Sequence, residues 1–310
     1  MIGLFDSGHG GLTVMKALVE RFPGQQFLYL GDHANAPYGN RPSEEVVDLT
    51  RTAVAWLFDA GCPLVMLACN TATAVACRTL QRDWLPGARR TGVDVPPVNV
   101  LGIVAPTVEA ATQTPWAVTT PQYPQKYMTD TIAVFGTART IATGVYREEI
   151  RKRCPRVNVV QQACPRLVGA IEAGAPAGEI DALVAGYVAD LMAATEGERP
   201  DRAILGCTHF PLIEDAFRKH LPVGTRLLSQ PGIVADSLED YLVRHPEYLA
   251  RSHGENGVDD ARTRGQTSIL TTGDSVTVSG TLGAFWPQRP AFQTVDLRSP
   301  WPGLLMASRP

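Results

Sequence analysis

Lysine is scarce in this chain of 310 residues: Lys16, Lys126, Lys152 and Lys219 are the only four. All fall in helical or insertion patterns, so a pyridoxal-phosphate enzyme, which acidifies a carbon through a lysine Schiff base, has no natural anchor here. Positive charge is not in excess either. Lys and Arg number 28 against 31 Asp and Glu, a net charge of −3 mixed along the sequence, and the field needed to hold a phosphate backbone is missing. Nucleic acid is not an expected partner. Long hydrophobic runs are also missing: the longest, Cys62 to Cys69, has eight residues, too few to span a bilayer. Asp6 interrupts the N-terminus before a signal-peptide core can form, so a cytoplasmic protein without a membrane partner is expected. The six cysteines (Cys62, Cys69, Cys77, Cys154, Cys164, Cys207) show no CxxC spacing, which suits reduced thiols better than a disulfide framework or a metal knot.

What is present is ordinary globular material, 45% hydrophobic and 19% charged, enough for one large or two modest domains. Ile2 to Phe5, Phe27 to Leu30, Leu64 to Ala68 and Val98 to Leu101 are short apolar runs. They alternate with helical patterns at Leu12 to Arg21, Glu44 to Asp59 and Thr71 to Leu80. This is the grammar of a parallel α/β sheet. It returns further along, with strands at Ile132 to Phe135, Val157 to Val160 and Ala203 to Leu205. The helices of this second pass are expected at Ile141 to Arg153 and Ile180 to Ala193, after a polar loop at Gly136 to Thr140. The fold class expected is therefore α/β, two similar doubly wound parallel-sheet domains facing each other across a cleft. Residues 84–97 and 112–130 lack periodicity and are expected to be surface loops or lids. After residue 286 a proline-rich tail is expected to pack weakly.

Two cysteines occupy matching places. Cys69 follows a buried-strand pattern and precedes a helix, where backbone N–H groups stabilise a thiolate, and Cys207 ends a strand in the same way. Ligands of open α/β sheets bind beyond the carboxyl ends of the strands. A thiol and a thiolate on opposite faces of one carbon can take a proton from one side and return it from the other, inverting configuration with no bond to the enzyme. An α-proton is weakly acidic, so the adjacent carboxylate needs donors that strengthen as charge develops. Ser7, Asn70, Thr71, Thr73, Thr137, Thr140 and Thr208 offer such donors, each with a plainer role as a helix cap. Asp6 and His209 are natural assistants to the two thiols, with Glu172 as an acceptor that could orient His209. His9 sits in the glycine turn, His33 follows Asp32, and Tyr38 with Gly39 could close over a substrate.

These residues resemble the cofactor-independent amino-acid racemases, in particular the glutamate racemase branch. Phe5-Asp6-Ser7-Gly8-His9-Gly10-Gly11-Leu12, Pro37-Tyr38-Gly39, Ala68-Cys69-Asn70-Thr71-Ala72 and Gly136-Thr137 with Thr140 look like the family motifs in order. Ala163-Cys164-Pro165 running to Glu172, Leu205-Gly206-Cys207-Thr208-His209-Phe210-Pro211 and Thr271-Thr272-Gly273-Asp274 continue the likeness. The resemblance implies that Cys69 deprotonates D-glutamate and Cys207 deprotonates L-glutamate, assisted by Asp6 and by His209 with Glu172. It also implies that Ser7, Pro37, Tyr38, Gly39, Asn70, Thr71, Thr73, Thr137, Thr140 and Thr208 hold the substrate. It implies no cofactor, no metal, a homodimer, and a product that feeds peptidoglycan synthesis. The domains it implies are 1–102 plus 213–290, then 103–212, with 291–310 as a tail. His9 and Gly169 depart from the family pattern near the expected cleft.

Other chemistries fit less of the sequence. An aspartate or related racemase keeps the two-thiol logic, but His209 favours the glutamate branch. A cysteine hydrolase could pair Cys207 with His209 yet leaves Cys69 without a role. Cys207-Thr208-His209 offers zinc two adjacent ligands at most. The Gly8-His9-Gly10-Gly11 turn lacks the Lys-Ser/Thr ending of a phosphate loop and the full dinucleotide pattern. A non-enzymatic amino-acid sensor would keep the cleft and make the thiols incidental.

Overall fold

The apolar runs become strands of two separate sheets. The computed structural model describes residues 1–88, 97–249, 267–286 and 291–300. The first sheet takes β1 (Ile2–Asp6), β2 (Phe27–Gly31), β3 (Leu64–Leu67) and β4 (Asn99–Gly102). The second takes β5 (Thr131–Gly136), β6 (Asn158–Ala163), β7 (Arg202–Gly206) and β8 (Arg226–Leu228). The chain then returns, and β9 (Thr267–Thr271) and β10 (Gln293–Thr294) extend the first sheet to the order β10-β9-β2-β1-β3-β4, while the second reads β6-β5-β7-β8. Each described strand pairing is parallel. In β1, β3, β5 and β7 every residue is buried, which is why these strands read as continuous apolar runs rather than as alternating ones.

Helices cover the sheets where their periodicity supplies an apolar stripe. On the first sheet, α1 (Leu12–Arg21) buries Leu12, Val14, Met15 and Leu18, and α2 (Ser43–Asp59) buries Val46, Ala53, Val54 and Leu57. A fully buried leucine of this kind stabilises the fold by about 1.5–3 kcal/mol relative to exposure. After β3 the chain enters α3 (Asn70–Ala72) and continues helically to α4 (Leu85–Ala88) through two wide π-helical turns, Thr73–Cys77 and Leu80–Trp84. The loop expected from residue 84 is therefore helical as far as Ala88, and residues 89–96 lie outside the described residues.

The link to the second sheet is α5 (Val104–Thr112), whose Val104, Val108 and Ala111 pack with Ile132 and Val134 of β5. Residues 113–130 form neither helix nor strand, as expected, but they are anchored. The Arg153 guanidinium lies 4.3 Å over the Trp116 ring and that of Arg202 3.8 Å over Tyr127. The helix expected at 141–153 is two, α6 (Ala138–Thr143) and α7 (Val145–Arg153), because Gly144 at φ 67° ends the first turn in a left-handed conformation. Thr137 caps α6 by accepting the Thr140 N–H at 3.2 Å, so the expected polar loop is already helical from Ala138. Next come α8 (Leu167–Glu172), α9 (Ala177–Ala194) and α10 (Glu214–His220).

Two boundaries differ from expectation. Residues 213–228 stay with the second sheet, since β8 adds to the edge of β7, and the chain returns only with α11 (Gln230–Arg244), which packs on α1. The last described segment does not pack weakly. Phe292 is 4% exposed in the core beside α12 (Ser275–Phe285), and the Trp56 indole N–H donates to the Ser299 carbonyl at 2.8 Å. Phe292, Val295 and Leu297 find apolar partners distant in sequence, which local proline content does not report. Residues 301–310 lie outside the described residues. Among the described residues no helix is long and apolar enough to cross a membrane.

Candidate active site

The carboxyl ends of the two sheets meet through side chains that β1, β3, β5 and β7 deliver. Asp6 ends β1, and its Oδ1 accepts the Gly8 N–H at 2.8 Å while Oδ2 accepts from the Thr208 hydroxyl, after β7, at 3.3 Å. Thr71, after β3, meets Thr137 and Thr140, after β5, at 3.1 and 3.2 Å, and those two lie 3.0 Å apart. The three hydroxyls form a ring across the two sheets. Such approach needs bare backbone at Gly10, where a Cβ would stand 2.3 Å from Thr208 Oγ1 and 2.5 Å from His209 Nδ1.

Cys69 is the N-cap of α3. Its Sγ accepts the Ala72 N–H at 3.4 Å, and its thiol points at Ser7 Oγ, 3.6 Å away. Burial pushes the Cys69 thiol up to about 11, and the Asp6 carboxylate adds to this, against the Ala72 N–H and Ser7. Cys207 precedes a short 3-10 turn rather than an α-helix, and its Sγ lies 3.8 Å from His209 Nδ1. Burial pushes Cys207 well above the ordinary thiol value, with Cys69 and Asp6 among the charges that raise it further. The thiols thus sense each other's charge, and each is only 5% exposed. Burial also raises Asp6, with the facing His209 opposing.

His209 Nε2 meets Glu172 Oε1 at 2.8 Å, the pairing the sequence suggested. Burial works to raise Glu172, but the hydrogen-bonded His209 and the nearby His9 overcome it and hold the carboxyl far below its ordinary range. A carboxylate accepts only, so Nε2 of His209 carries a hydrogen, and the ring's other nitrogen, Nδ1, faces the Cys207 thiol. This is the arrangement of a base toward a thiol.

Some expected substrate contacts are turned elsewhere. The Thr73 hydroxyl donates to the Leu67 carbonyl at 2.9 Å and accepts the Ile103 N–H at 3.4 Å, so it ties β3 to the start of α5 instead of facing the thiols. Pro37 is exposed, while Tyr38 is buried with its hydroxyl donating to Asp32 Oδ2 at 2.6 Å. Gly39 lies against Thr137, whose Cβ would be 3.1 Å from an added Cβ, so the Tyr38 turn does close on the second sheet's side.

Asn70 faces a network that sequence reasoning missed. Its Nδ2 donates to Gln230 Oε1 at 2.6 Å and its Oδ1 accepts from Tyr146 Oη at 2.7 Å, while Gln230 Nε2 donates to Thr107 Oγ1 at 2.9 Å. Gln230 is wholly buried at the start of α11, and a single glutamine after a strand gives no sequence signal of that. Apart from the thiols, a groove of about 480 Å3 lined by Asp32, Asn35, Glu44, Glu45 and Asp48 shares none of these residues with the thiol site, and its carboxylates suit no anionic ligand. Among the described residues no group of three or more His, Cys, Asp or Glu is arranged to hold a metal ion.

Two buried thiols thus stand at corresponding ends of parallel strands in two facing sheets, the geometry of an α/β enzyme site beyond the carboxyl ends of its strands. The family model described as Asp/Glu/Hydantoin racemase matches residues 2–229, and the chain belongs to that family; it is an isomerase. It is 49% identical over 287 residues to the glutamate racemase of Phenylobacterium zucineum (strain HLK1), covering 92% of this chain and 96% of that one. It is 42% identical to the glutamate racemase of Roseobacter denitrificans, covering 94% and 98%. Among solved structures, glutamate racemase isoform RacE1 from Bacillus anthracis superposes with a TM-score of 0.75 at 26% identity, covering 96% of this chain and 97% of that one. The Francisella tularensis glutamate racemase in complex with D-glutamate shares the fold at a TM-score of 0.76 and 22% identity, with the same coverage.

Proposed function

We propose that this protein interconverts L- and D-glutamate by passing the α-proton between two thiols, without a cofactor. The observation that carries the reading is the pair of buried cysteines at equivalent strand ends, each with its own proton-accepting neighbour. Glutamate as substrate draws its support from the relatives named above. In the L-to-D direction, Cys207 as thiolate takes the α-proton and becomes a thiol, while the Cys69 thiol gives its proton to the opposite face and becomes a thiolate. No bond to the enzyme forms, and the next turnover in reverse restores both groups.

At rest both thiols are neutral, since burial raises them. The thiolate is made when His209 Nδ1 takes the Cys207 proton, or Asp6 the Cys69 proton, with the substrate ammonium offsetting the negative charge. Ser7, Thr71, Thr137, Thr140 and Thr208 supply hydroxyls to the substrate carboxylates, and these contacts tighten as the α-carbon loses its proton. Asn70 acts by fixing the helix start behind Cys69, and the Tyr38–Gly39 turn closes the site. The same reading makes the enzyme a cytoplasmic homodimer that supplies D-glutamate to peptidoglycan synthesis.

The test is purified protein without pyridoxal phosphate in deuterium oxide, offered each enantiomer of glutamate and aspartate. Circular dichroism should decay to zero with either glutamate enantiomer, and NMR should find deuterium at the α-carbon. Faster turnover of aspartate, or rotation unchanged with no α-deuterium, sinks the reading.

A further inference from the structure

His9 lies in the glycine turn after β1, yet its ring is held as firmly as a core side chain. It is 6% exposed, stacks on Phe285 at 5.1 Å between centroids, and meets Phe292 edge-on at 5.6 Å. Its Nε2 lies 2.9 Å from the Val278 carbonyl and 2.7 Å from Thr281 Oγ1, both on α12. Its Nδ1 lies 3.2 Å from His33 Nε2 and 3.9 Å from Glu172 Oε1, the oxygen that His209 Nε2 also uses. One carboxylate oxygen therefore has one imidazole in hydrogen-bond contact and a second within ion-pair reach, one from each sheet's side.

The partners fix where the hydrogens sit. A carbonyl only accepts, so His9 Nε2 carries a hydrogen toward Val278. His33 Nδ1 faces the Thr271 hydroxyl at 2.9 Å and the Gly31 carbonyl at 3.2 Å, and a hydrogen on it serves both, since the carbonyl only accepts and the hydroxyl can accept. Burial, with His9 beside it, lowers the His33 imidazole to about 4, so its ring is neutral and Nε2 is bare. Facing that bare nitrogen at 3.2 Å is His9 Nδ1, which also stands 3.9 Å from the Glu172 carboxylate.

We propose that His9 is a positioning residue for His209, acting through Glu172. Glu172 ends the short α8, and its carboxylate is partly exposed at 31% of the side chain. With His209 alone it could swing toward water. With His9 also within 3.9 Å of it, Oε1 keeps the Nε2–H of His209 engaged and Nδ1 aimed at Cys207. Loss of His9 should therefore slow proton transfer at Cys207 and leave transfer at Cys69 as it was. This inference rests on the two-thiol reading above.

Rate alone does not separate the two sides, because the two enantiomers are equally stable and kcat/KM must be equal in both directions. The deuterium isotope effect does separate them. With α-deuterated L-glutamate the label leaves at Cys207, and with α-deuterated D-glutamate it leaves at Cys69. The variants are His9→Gln, whose amide reaches the Nε2 position, and His9→Asn, whose amide nitrogen falls where Nδ1 was and keeps an N–H beside Glu172. In His9→Gln, kcat/KM should fall about 10- to 100-fold, the scale of a misplaced catalytic group. Its isotope effect should rise for the L substrate and fall for the D substrate, and His9→Asn should restore most of both. Isotope effects that stay put, or move together in both substrates while the melting temperature drops, overturn the proposal and leave His9 a packing residue. A wild-type protein that exchanges no α-proton fails the two-thiol reading itself, which the variants cannot mimic, and this inference falls with it.

Discussion

Cys69 and Cys207 end corresponding strands, yet they are served by different chemistry. Around Cys69 the partners are a backbone N–H, the Ser7 hydroxyl and a nearby carboxylate; around Cys207 they are an imidazole and, behind it, Glu172. A helix N-terminus stabilises a thiolate without accepting a proton, whereas an imidazole accepts one. On the proposed mechanism, two sites that perform mirror-image steps on one carbon need not be mirror images in composition: the N-cap at Cys69 would favour the charged state once it forms, and the relay at Cys207 would govern how it forms.

The sharpest way to break this comparison is to delete each thiol. Cys69→Ala and Cys207→Ala should each cut racemisation by about 1,000-fold or more, since loss of a positioned acid or base commonly costs about 100- to 10,000-fold. Normal decay of circular dichroism in either variant would mean that one thiol suffices. Next in size, His209→Asn should slow turnover about 100-fold and raise the isotope effect for L-glutamate, whereas Asp6→Asn should move the effect for D-glutamate. Equal responses in the two variants would erase the distinction drawn here. Gly10→Ala places a methyl against Thr208 and His209, and so should impair the Cys207 side selectively; retained L-side isotope behaviour would count against that close approach.

Stability offers gentler tests. Gln230→Leu strands the buried Asn70 Nδ2, while the Tyr146 and Thr107 hydroxyls lose a donor but keep Asn70 Oδ1 and the Ile103 carbonyl, and it should cost about 1–3 kcal/mol in chemical denaturation. An unchanged midpoint would show that the network relaxes freely. Burial raises Cys69 to about 11 and Cys62 and Cys77 to about 12, from an ordinary 9. A thiol raised by folding contributes stability that is complete below its unfolded value and is lost as pH climbs through its folded value. Melting temperature should therefore fall between pH 9 and 12, and fall less when Cys62 and Cys77, which lie outside the thiol site, are replaced by alanine. A fall of the same size in that double variant would assign it to other groups.

Much of this was legible in the sequence for physical reasons. Strands buried on both faces write themselves as unbroken apolar runs, strand ends followed by helix caps mark where Cys69 and Thr137 stand, and a strand end alone marks Cys207. The pairing of Glu172 with His209 was also readable. What was not readable depends on contacts far apart in the chain. The Thr73 hydroxyl is spent on backbone groups of β3 and Ile103, which a threonine near a strand end does not announce. Phe292 sits in a proline-rich segment whose local composition suggests weak packing, although an aromatic ring needs only one apolar hollow to dock. The edge strand β8 is three residues long, too short to display a pattern. His9 looked like turn material because the rings that clasp it come from the chain's other end.

The three-hydroxyl ring of Thr71, Thr137 and Thr140 has a thermodynamic consequence. Each oxygen owns one hydrogen, so a closed triangle can circulate its donors clockwise or anticlockwise, and both senses satisfy every member. An arriving anion can capture all three hydrogens by simple rotation about the C–O bonds, with no rotamer change in the carbon skeleton. If the proposed substrate carboxylate docks there, binding asks of these three side chains only a reorientation of protons.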